Sequence, residues 1–291
     1  MPPALHYPRE SLAAAEQDSF REERALQIRL VPAGVTAGIA VYDRQTGAFT
    51  EQFNSRVRFR SASVVKLLIA LDHLWPHEPA EPVAADDRER LDVMLRSSDD
   101  DAASHFWTHN GESSIIERMT ARLGLADTAP PPSRYPGYWG YTSLSAADTV
   151  RIYRYVLEAA PAPVRDVIMD NLRAATRRGT DGFDQGFGIA AVFEHPRAVK
   201  QGWSGFPSPD GAGAGRPRVA AADGVDLARE ALHTTGTVGA DDRAVVAVLT
   251  LHPQGTPYDK ARADLDRLTR RLHVPGAVRT PGNRPPDAPT C

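Results

Sequence analysis

Segments with strand character lie at both ends of this chain, and segments with helical character fill its middle. The strand character appears at residues 38–43, 48–53, 198–203, 231–237 and 243–251. The first two segments are joined by turn chemistry from Asp43 to Gly47, so we expect them to form a hairpin. Because a long helical stretch separates the two groups of strands, the sequence predicts one antiparallel sheet built from both ends of the chain.

The middle of the chain predicts a second lobe made of helices. Helical character appears at residues 64–75, 87–95, 102–109, 112–123, 145–157 and 164–177. Two further helices, at 11–30 and 258–272, are expected to flank the sheet. The predicted fold class is therefore α/β, of the α+β kind, with a cleft between two lobes as the expected place for chemistry. The predicted units are an α/β lobe at 1–66 and 198–275, a helical lobe at 67–197, and a disordered tail at 276–291.

The composition excludes several classes of function. The chain has 291 residues, 42% of them hydrophobic, and a net charge of -3, without the basic stripe of a nucleic-acid-binding protein. No apolar segment is long enough to span a membrane, and no histidine cluster has metal-ligand spacing, so we expect neither a metal nor a cofactor. No signal-peptide pattern begins the chain, which is typical of a cytoplasmic protein unless a signal has been removed. We expect a monomer whose partner is a small-molecule or peptide substrate.

Lysine is rare in this chain, and one lysine follows a serine at a notable spacing. Lys66, Lys200 and Lys260 are the only lysines among 34 Lys and Arg residues. Unlike arginine, a lysine that is buried or close to another cation can become a neutral proton acceptor. Ser63 lies three residues before Lys66 at the start of an apolar helix, so both side chains are expected on one helix face. Ser63 could then attack a carbonyl group with Lys66 as its base, although a capping serine and a snorkelling lysine would give the same spacing.

Three short motifs occur in an order that is typical of one enzyme family. Residues 63–66 read S-V-V-K, residues 98–100 between two predicted helices read S-D-D, and residues 200–202 on a predicted strand read K-Q-G. They resemble the S-x-x-K, S-D-N and K-T-G elements of the penicillin-recognising serine enzymes. The surrounding sequence resembles most the class A β-lactamase branch. The resemblance covers roughly residues 35–272 and implies a serine hydrolase of that fold.

The resemblance implies four catalytic residues. Ser63 would be the acylated nucleophile, and Lys66 would be its general base or proton relay. Ser98 would pass a proton toward the leaving group. Lys200 would supply positive charge for Ser98 and for a substrate carboxylate, and repulsion between the two lysines would help to keep one of them neutral.

The same resemblance implies the groups that bind substrate. The backbone N–H groups of Ser63 and Trp203 would form the oxyanion hole. The expected substrate-binding residues are Asp100, Gln201, Gly202 and Trp203. Gln201 stands where the family has threonine, and its amide can still hydrogen-bond a carboxylate. Trp203 is expected to crowd the strand edge where substrates of this family bind.

Two departures from the family pattern bear on activity. Asp100 stands where the family has asparagine, and an ionised carboxylate can only accept hydrogen bonds and would favour a charged Lys66. The loop 125–141, which in class A β-lactamases carries the glutamate that activates the deacylating water, contains no glutamate here, and Asp127 is its one acid. Its tyrosines and tryptophan could wall an aromatic pocket or pack the loop onto the helical lobe.

Three functions therefore compete. The leading hypothesis is a serine hydrolase or acyltransferase that forms an acyl-enzyme on Ser63 with an amide, ester or peptide. A second is a class A-type β-lactamase with unusual deacylation. A third is a catalytically degenerate member of the fold that binds or regulates, which Asp100 and Gln201 favour and the retained Ser63, Lys66, Ser98 and Lys200 oppose.

Overall fold

A computed structural model describes residues 31–75, 83–207 and 224–281. Its strands are β1 Thr36–Asp43, β2 Ala48–Phe53, β3 Phe59–Arg60, β4 Ser143–Leu144, β5 Arg197–Ser204, β6 Glu230–Val238 and β7 Ala244–His252. Its α-helices are α1 Lys66–His73, α2 Ala85–Arg96, α3 Asp100–His109, α4 Ser113–Leu123, α5 Ala146–Glu158, α6 Ala162–Arg173, α7 Ile189–Val192 and α8 Tyr258–Arg271. Short 3-10 helices cover Ala62–Val65, Trp139–Tyr141 and Ala240–Asp242.

Both ends of the chain build one antiparallel sheet. The strand order is β2-β1-β7-β6-β5, and every neighbouring pair is antiparallel. The β1–β7 ladder joins the two ends, from the pair Thr36 and Leu251 to the pair Asp43 and Ala244. The predicted mixed fold with an antiparallel sheet is therefore confirmed. Because β5 lies at the edge of the sheet, one side of this strand remains available to pack against the helices.

The sheet is buried on both faces. On β7, Val245 and Ala247 belong to the core that is shared with the middle helices. Val246 and Val248 alternate with them and belong to the core that packs against α8. A strand that is buried on both faces needs an uninterrupted apolar run, because its side chains point alternately to either side. This explains why the alternation that predicts a half-buried strand is absent from β7.

The middle helices begin and end close to their predicted bounds, and two polar side chains fix their starts. Asp99 caps α3 by accepting a hydrogen bond from the backbone N–H of Ala102, and Ser145 caps α5 by accepting one from Asp148. Such caps satisfy backbone donors that the first helical turn leaves free. The cap at Asp99 fixes the chain next to Ser98, one of the residues singled out above. The division into two lobes stays a prediction.

Three sequence predictions concern the ends and loops of the chain. The predicted helix at 11–30 lies outside the described residues. The Gly/Pro-rich sequence at 204–217 favours a long flexible excursion between two strands, and most of this segment also lies outside the described residues. The predicted disordered tail from residue 276 is wrong as far as residue 281. There the backbone N–H groups of Glu194 and Thr280 donate to the carbonyl groups of Val278 and Val192. Sequence reasoning missed this because the pairing partner lies far away along the chain.

Candidate active site

Ser63 lies in a tight 3-10 turn that leads directly into helix α1. The turn spans Ala62–Val65, and Lys66 is the first residue of α1. Ala62 has a φ of 46°, a left-handed conformation that is uncommon for a residue with a side chain. Ser63 is 5% exposed and therefore retains some access to solvent, whereas Lys66 is fully buried. The sequence predicted an α-helix from this point, and the first turn is tighter than that.

Lys66 is held by polar partners from the start of α3. Its Nζ lies 2.7 Å from Asp100 Oδ1 and 2.5 Å from the backbone carbonyl of Ser98. Ser98 Oγ is 3.5 Å away, and the ring of Trp139 lies with its centroid 4.7 Å from Nζ. The Lys66 side chain is 0% exposed and that of Asp100 is 48% exposed. An adjacent carboxylate, two oxygen acceptors and an aromatic face all favour the ammonium form of Lys66.

Lys200 reaches the same serine from the sheet. Its Nζ lies 2.7 Å from Ser98 Oγ and 3.3 Å from the carbonyl of Gln201. Burial, and next the charge of Lys66, lower the pKa of Lys200 well below its ordinary value, while Asp100 acts in the opposite direction. Thr235 Oγ1 donates to the backbone carbonyl of Lys200 at 2.7 Å and so fixes the strand at this residue. Burial and the neighbouring charge of Lys66 thus both push Lys200 toward the neutral amine.

Ser98 connects the two lysines. Its hydroxyl lies within hydrogen-bond distance of both Lys66 and Lys200. Its φ of 57° places it in the left-handed region, where a residue with a side chain is held only by its surroundings. The Asp99 cap on one side, and the backbone N–H of Thr180 donating to the carbonyl of Ser97 on the other, supply that restraint. The conformation turns both the carbonyl and the hydroxyl of Ser98 toward lysine.

Gly202 lets strand β5 lie directly against the turn that carries Ser63. A Cβ atom added at Gly202 would lie 3.0 Å from a methyl of Val64, 3.1 Å from the carbonyl of Ser61 and 3.4 Å from the backbone nitrogen of Ser63. No larger residue fits without moving one of these groups. The position of Gly202 beside Ser63 therefore has a steric reason: the absence of a side chain sets the spacing between strand and turn.

Gln201 and Trp203 do not present their side chains as the sequence suggested. The amide nitrogen of Gln201 donates to the carbonyl groups of Gln185 and Phe187, at 3.0 Å and 2.6 Å, and the residue is buried. Trp203 stacks on Phe183 with ring centroids 4.8 Å apart. Successive residues of a strand point to opposite faces, so these two residues lie across the strand from Lys200 and Gly202. The expectation that the Gln201 amide is free for a substrate carboxylate is wrong, because both amide hydrogens are taken.

The loop 125–141 is held down by its own acid and aromatic residues. Asp127 accepts from the guanidinium of Arg56, with two contacts of 3.2 Å, and from Ser145 Oγ at 3.2 Å. Trp139 is buried, and its indole N–H donates to Ser104 on α3. Trp139 thus packs the loop onto α3, as the second of the two alternatives has it, and it also lies over Lys66. Tyr135, Tyr138 and Tyr141 instead pack against one another. The sequence did not predict the contact of Trp139 with Lys66. Its one indication was an aromatic residue in the loop that follows the second motif, S-D-D.

Neither a membrane-spanning helix nor a cluster of metal ligands occurs among the described residues. In the part of the chain that the structure describes, no helix combines the length and the apolar character needed to cross a membrane. Among residues 31–75, 83–207 and 224–281, no group of three or more His, Cys, Asp or Glu side chains is arranged to hold a metal ion.

Comparison with known proteins decides the family. The mycobacterial protein named "Putative lipoprotein LppW", from Mycobacterium tuberculosis and from Mycobacterium bovis, is 33% identical over 251 residues. The match covers 84% of this chain and 72% of LppW. The chain belongs to the LppW family. No protein-family model matches the sequence.

Solved structures show which fold the LppW family member adopts. The structure of PBP-A superimposes with a TM-score of 0.60 at 15% identity, covering 86% of this chain and 93% of PBP-A. A class A β-lactamase from Mycobacterium abscessus gives 0.58 at 17% identity, and the β-lactamase from Streptomyces albus G gives 0.57 at 17% identity. Each covers 86% of this chain, with 96% and 98% of the two β-lactamases matched. The expected β-lactamase-like fold of the penicillin-recognising serine enzymes is confirmed, and at these identities the likeness concerns the fold alone.

Proposed function

We propose that this member of the LppW family is a serine hydrolase or acyltransferase that forms an acyl-enzyme on Ser63 with an amide, ester or peptide substrate. The observation that carries the proposal is the chain of contacts Lys66–Ser98–Lys200, assembled beside Ser63 from three separate elements of the fold. Two fully buried lysines with a single ion-pair partner between them among the described residues are unusual, because lysine is almost never fully buried unless it is paired. One carboxylate, Asp100, lies beside this lysine pair.

In the proposed acylation, Ser63 Oγ attacks the substrate carbonyl carbon and its proton passes to the neutral amine of Lys66. The backbone N–H groups of Ser63 and Trp203 stabilise the negative charge that forms on the carbonyl oxygen. The Ser98 hydroxyl donates a proton to the leaving nitrogen or oxygen, and Lys66 returns its proton to Ser98. A substrate carboxylate near Lys200 restores the positive charge that burial disfavours on this residue.

Asp100 controls how readily Lys66 can accept the proton of Ser63 in the first step of acylation. An ammonium group has three N–H donors and no lone pair, so Lys66 accepts the Ser63 proton only after losing its own. The ion pair with Asp100, at 2.7 Å, opposes that loss. This contact also favours a second candidate function, a catalytically inactive member of the fold that binds its ligand without acylation. The half-exposed carboxylate of Asp100 would then accept hydrogen bonds from the ligand.

A true β-lactamase is the weakest of the three candidates. Rapid hydrolysis of the acyl-enzyme needs a base for the attacking water. Asp127, the only acid of the loop 125–141, is bound by Arg56 and Ser145. In this arrangement Asp127 supports the loop and is committed to its own partners. We therefore expect a long-lived acyl-enzyme with a penicillin, or transfer of the acyl group to an acceptor other than water.

Incubation with a fluorescent penicillin tests the proposal. Intact-mass spectrometry should show one added penicillin, and the adduct should persist while free product accumulates slowly. Ser63→Ala should abolish the adduct. Ser61→Ala is the matched control, because Ser61 lies in the same buried segment and its hydroxyl faces backbone carbonyl groups of Ala62 and Gly140.

The three candidate functions give different results in this experiment. A stable adduct that depends on Ser63 supports the proposal, and rapid turnover supports a β-lactamase. The absence of any adduct with penicillin and with activated esters, in a protein whose folding is verified by circular dichroism, contradicts the proposal and favours the binding module. An adduct that persists in Ser63→Ala also contradicts it, because the acylated residue is then a different one.

A further inference from the structure

A small cavity lies on the side of β5 that faces away from Lys200. Its volume is about 170 Å³. Arg197 and Val199, two residues apart on β5, both line it. Since alternate residues of a strand share a face, this cavity is separated from the candidate active site by the strand itself.

The lining of the cavity combines a cationic part with an apolar part. Arg173, Arg177 and Arg197 contribute guanidinium groups, and His195 contributes an imidazole. The apolar lining comes from Leu172, Ala175, Ala190 and Val199. Small-molecule sites in proteins combine apolar walls with a few charged groups that fix the orientation of the ligand. This cavity has both parts, and the polar part is the larger one.

Two of the three arginines are neutralised by carboxylates of the protein. Arg173 pairs with Asp170 and Asp242, at 3.0 Å and 2.5 Å. Arg177 pairs with Asp184 at 2.8 Å. These cations therefore leave little positive charge for a ligand. They nevertheless restrict which ligands can approach, because their N–H groups line the same opening.

Arg197 differs from the other two arginines. Its Nη1 donates to the backbone carbonyl of Phe193 at 2.6 Å, and no carboxylate among the described residues pairs with it. It is partly buried, and this burial lowers the pKa of its guanidinium, with no carboxylate to oppose the effect. Arginine keeps its charge nevertheless. A guanidinium has five N–H donors, so most of those on Arg197 remain available for a ligand.

We propose that this cavity is a binding site for a small organic anion, in which Arg197 binds a carboxylate or phosphate group and Val199 and Ala175 contact a short apolar portion. An anion there supplies the counter-charge that the protein does not provide. A guanidinium binds carboxylate and phosphate oxygens in a bidentate fashion. The cavity size limits the ligand to a few heavy atoms beyond the charged group.

Titration with inorganic phosphate and with butyrate, at constant ionic strength, tests this site and distinguishes its two possible ligand types. Two-dimensional NMR of the folded protein should show saturable shifts confined to residues 172–199 with at least one of the two anions. Arg197→Gln should weaken that binding by about 10-fold or more, because a charge-assisted hydrogen bond is lost. Ala190→Leu, which places a larger side chain in the cavity, should weaken binding while Arg197 is retained.

Arg165→Gln is the matched control, since Arg165 is a solvent-exposed arginine on the neighbouring helix α6, where it pairs with Asp166. It should bind both anions as the wild type does. Thermal melts of each variant verify folding. The proposal is overturned if neither anion saturates, or if binding survives unchanged in Arg197→Gln. Shifts spread over arginines throughout the surface would overturn it as well, because they would indicate non-specific attraction.

Discussion

Asp100→Asn should make Lys66 a better base and thereby accelerate acylation of Ser63. The carboxylate oxygen of Asp100 lies 2.7 Å from Lys66 Nζ. Asparagine has nearly the same shape and can keep one oxygen at this distance, but it carries no charge. The substitution therefore removes the electrostatic stabilisation of the ammonium form with little change in packing.

The size of the effect follows from this distance and from the exposure of Asp100. Two unit charges 2.7 Å apart attract by about 6 kcal/mol at an effective dielectric constant near 20, and by about 1.5 kcal/mol in water. Because the Asp100 side chain is 48% exposed, solvent screening moves the value toward the lower figure. A net 1.5–3 kcal/mol, typical of a hydrogen bond to a charged group, is about a 10- to 150-fold change in an equilibrium constant.

We therefore expect the second-order rate constant for acylation by a fluorescent penicillin to rise by at least about tenfold at neutral pH. The midpoint of its pH profile should move by at least about one unit toward acid. The rate is measured by quenching aliquots in denaturant and quantifying the labelled protein. Asp101→Asn is the matched control, because Asp101 is the next residue of α3 and its exposed side chain has no ion pair with Lys66.

An acylation rate in Asp100→Asn equal to or below that of the wild type, with unchanged thermal stability, would refute this reasoning. It would mean that the ion pair does not limit the reaction, and that Lys66 is not the base. A tenfold rise in Asp101→Asn would refute it too, because the effect would then come from the net charge of the helix start.

Three further predictions concern stability and the spacing of the site. Gly202→Ala should lower the free energy of unfolding by about 1–3 kcal/mol and slow acylation, because its Cβ would press on Val64 and Ser61. Urea melts measure the stability and the penicillin assay measures the rate. An unchanged acylation rate would contradict the proposed spacing between strand and turn. The lowered pKa of Lys200 means that the unfolded chain binds the proton more tightly than the folded protein, so between the folded pKa and 10.5 the free energy of unfolding should increase as pH increases. Lys200→Met should reduce this slope between pH 7 and pH 10, and equal slopes would show that Lys200 is not the group responsible. Burial lowers the pKa of His233 from 6.5 to about 4, so the free energy of unfolding should fall by about 3 kcal/mol as pH falls from 6.5 toward 4. His233→Gln should flatten that part of the stability–pH curve. An equal loss of stability in acid in both proteins would contradict the assignment to His233.

The strand and helix pattern of the sequence was enough to predict the sheet and most of the helices. Strand β2 begins and ends at its predicted residues, Ala48–Phe53, because alternation and turn residues are local signals. The helices α3 and α5 were predicted from their periodicity, and the structure adds their capping residues Asp99 and Ser145. What the sequence does not contain is the distant partner: the pairing of residues 278–280 with the chain near Val192 has no local signature.

The arrangement of the candidate site was predicted only in part from the sequence. The spacing of Ser63 and Lys66 and the order of the motifs suggested that these segments meet, and the contacts of Ser98 with Lys66 and Lys200 fit that suggestion. The roles of these residues stay predictions. The orientation of Gln201 could have been predicted, because a strand that points Lys200 into the site must point the next residue away. The left-handed backbone of Ser98 could not, since only the packing around it stabilises that conformation.

The ladder between β1 and β7 determines when during synthesis this protein can fold. Thr36 pairs with Leu251, about 215 residues later in the chain. At 5–20 residues per second, a ribosome needs roughly 10–40 s to synthesise that interval. Throughout this time the β1–β2 hairpin has no partner on its inner edge. A nascent chain that stops before Ala244 has made Ser63, Lys66, Ser98 and Lys200, but it lacks strand β7, which joins β1 to β6 and β5. Chaperone dependence and folding yield should therefore be set by the synthesis of β7.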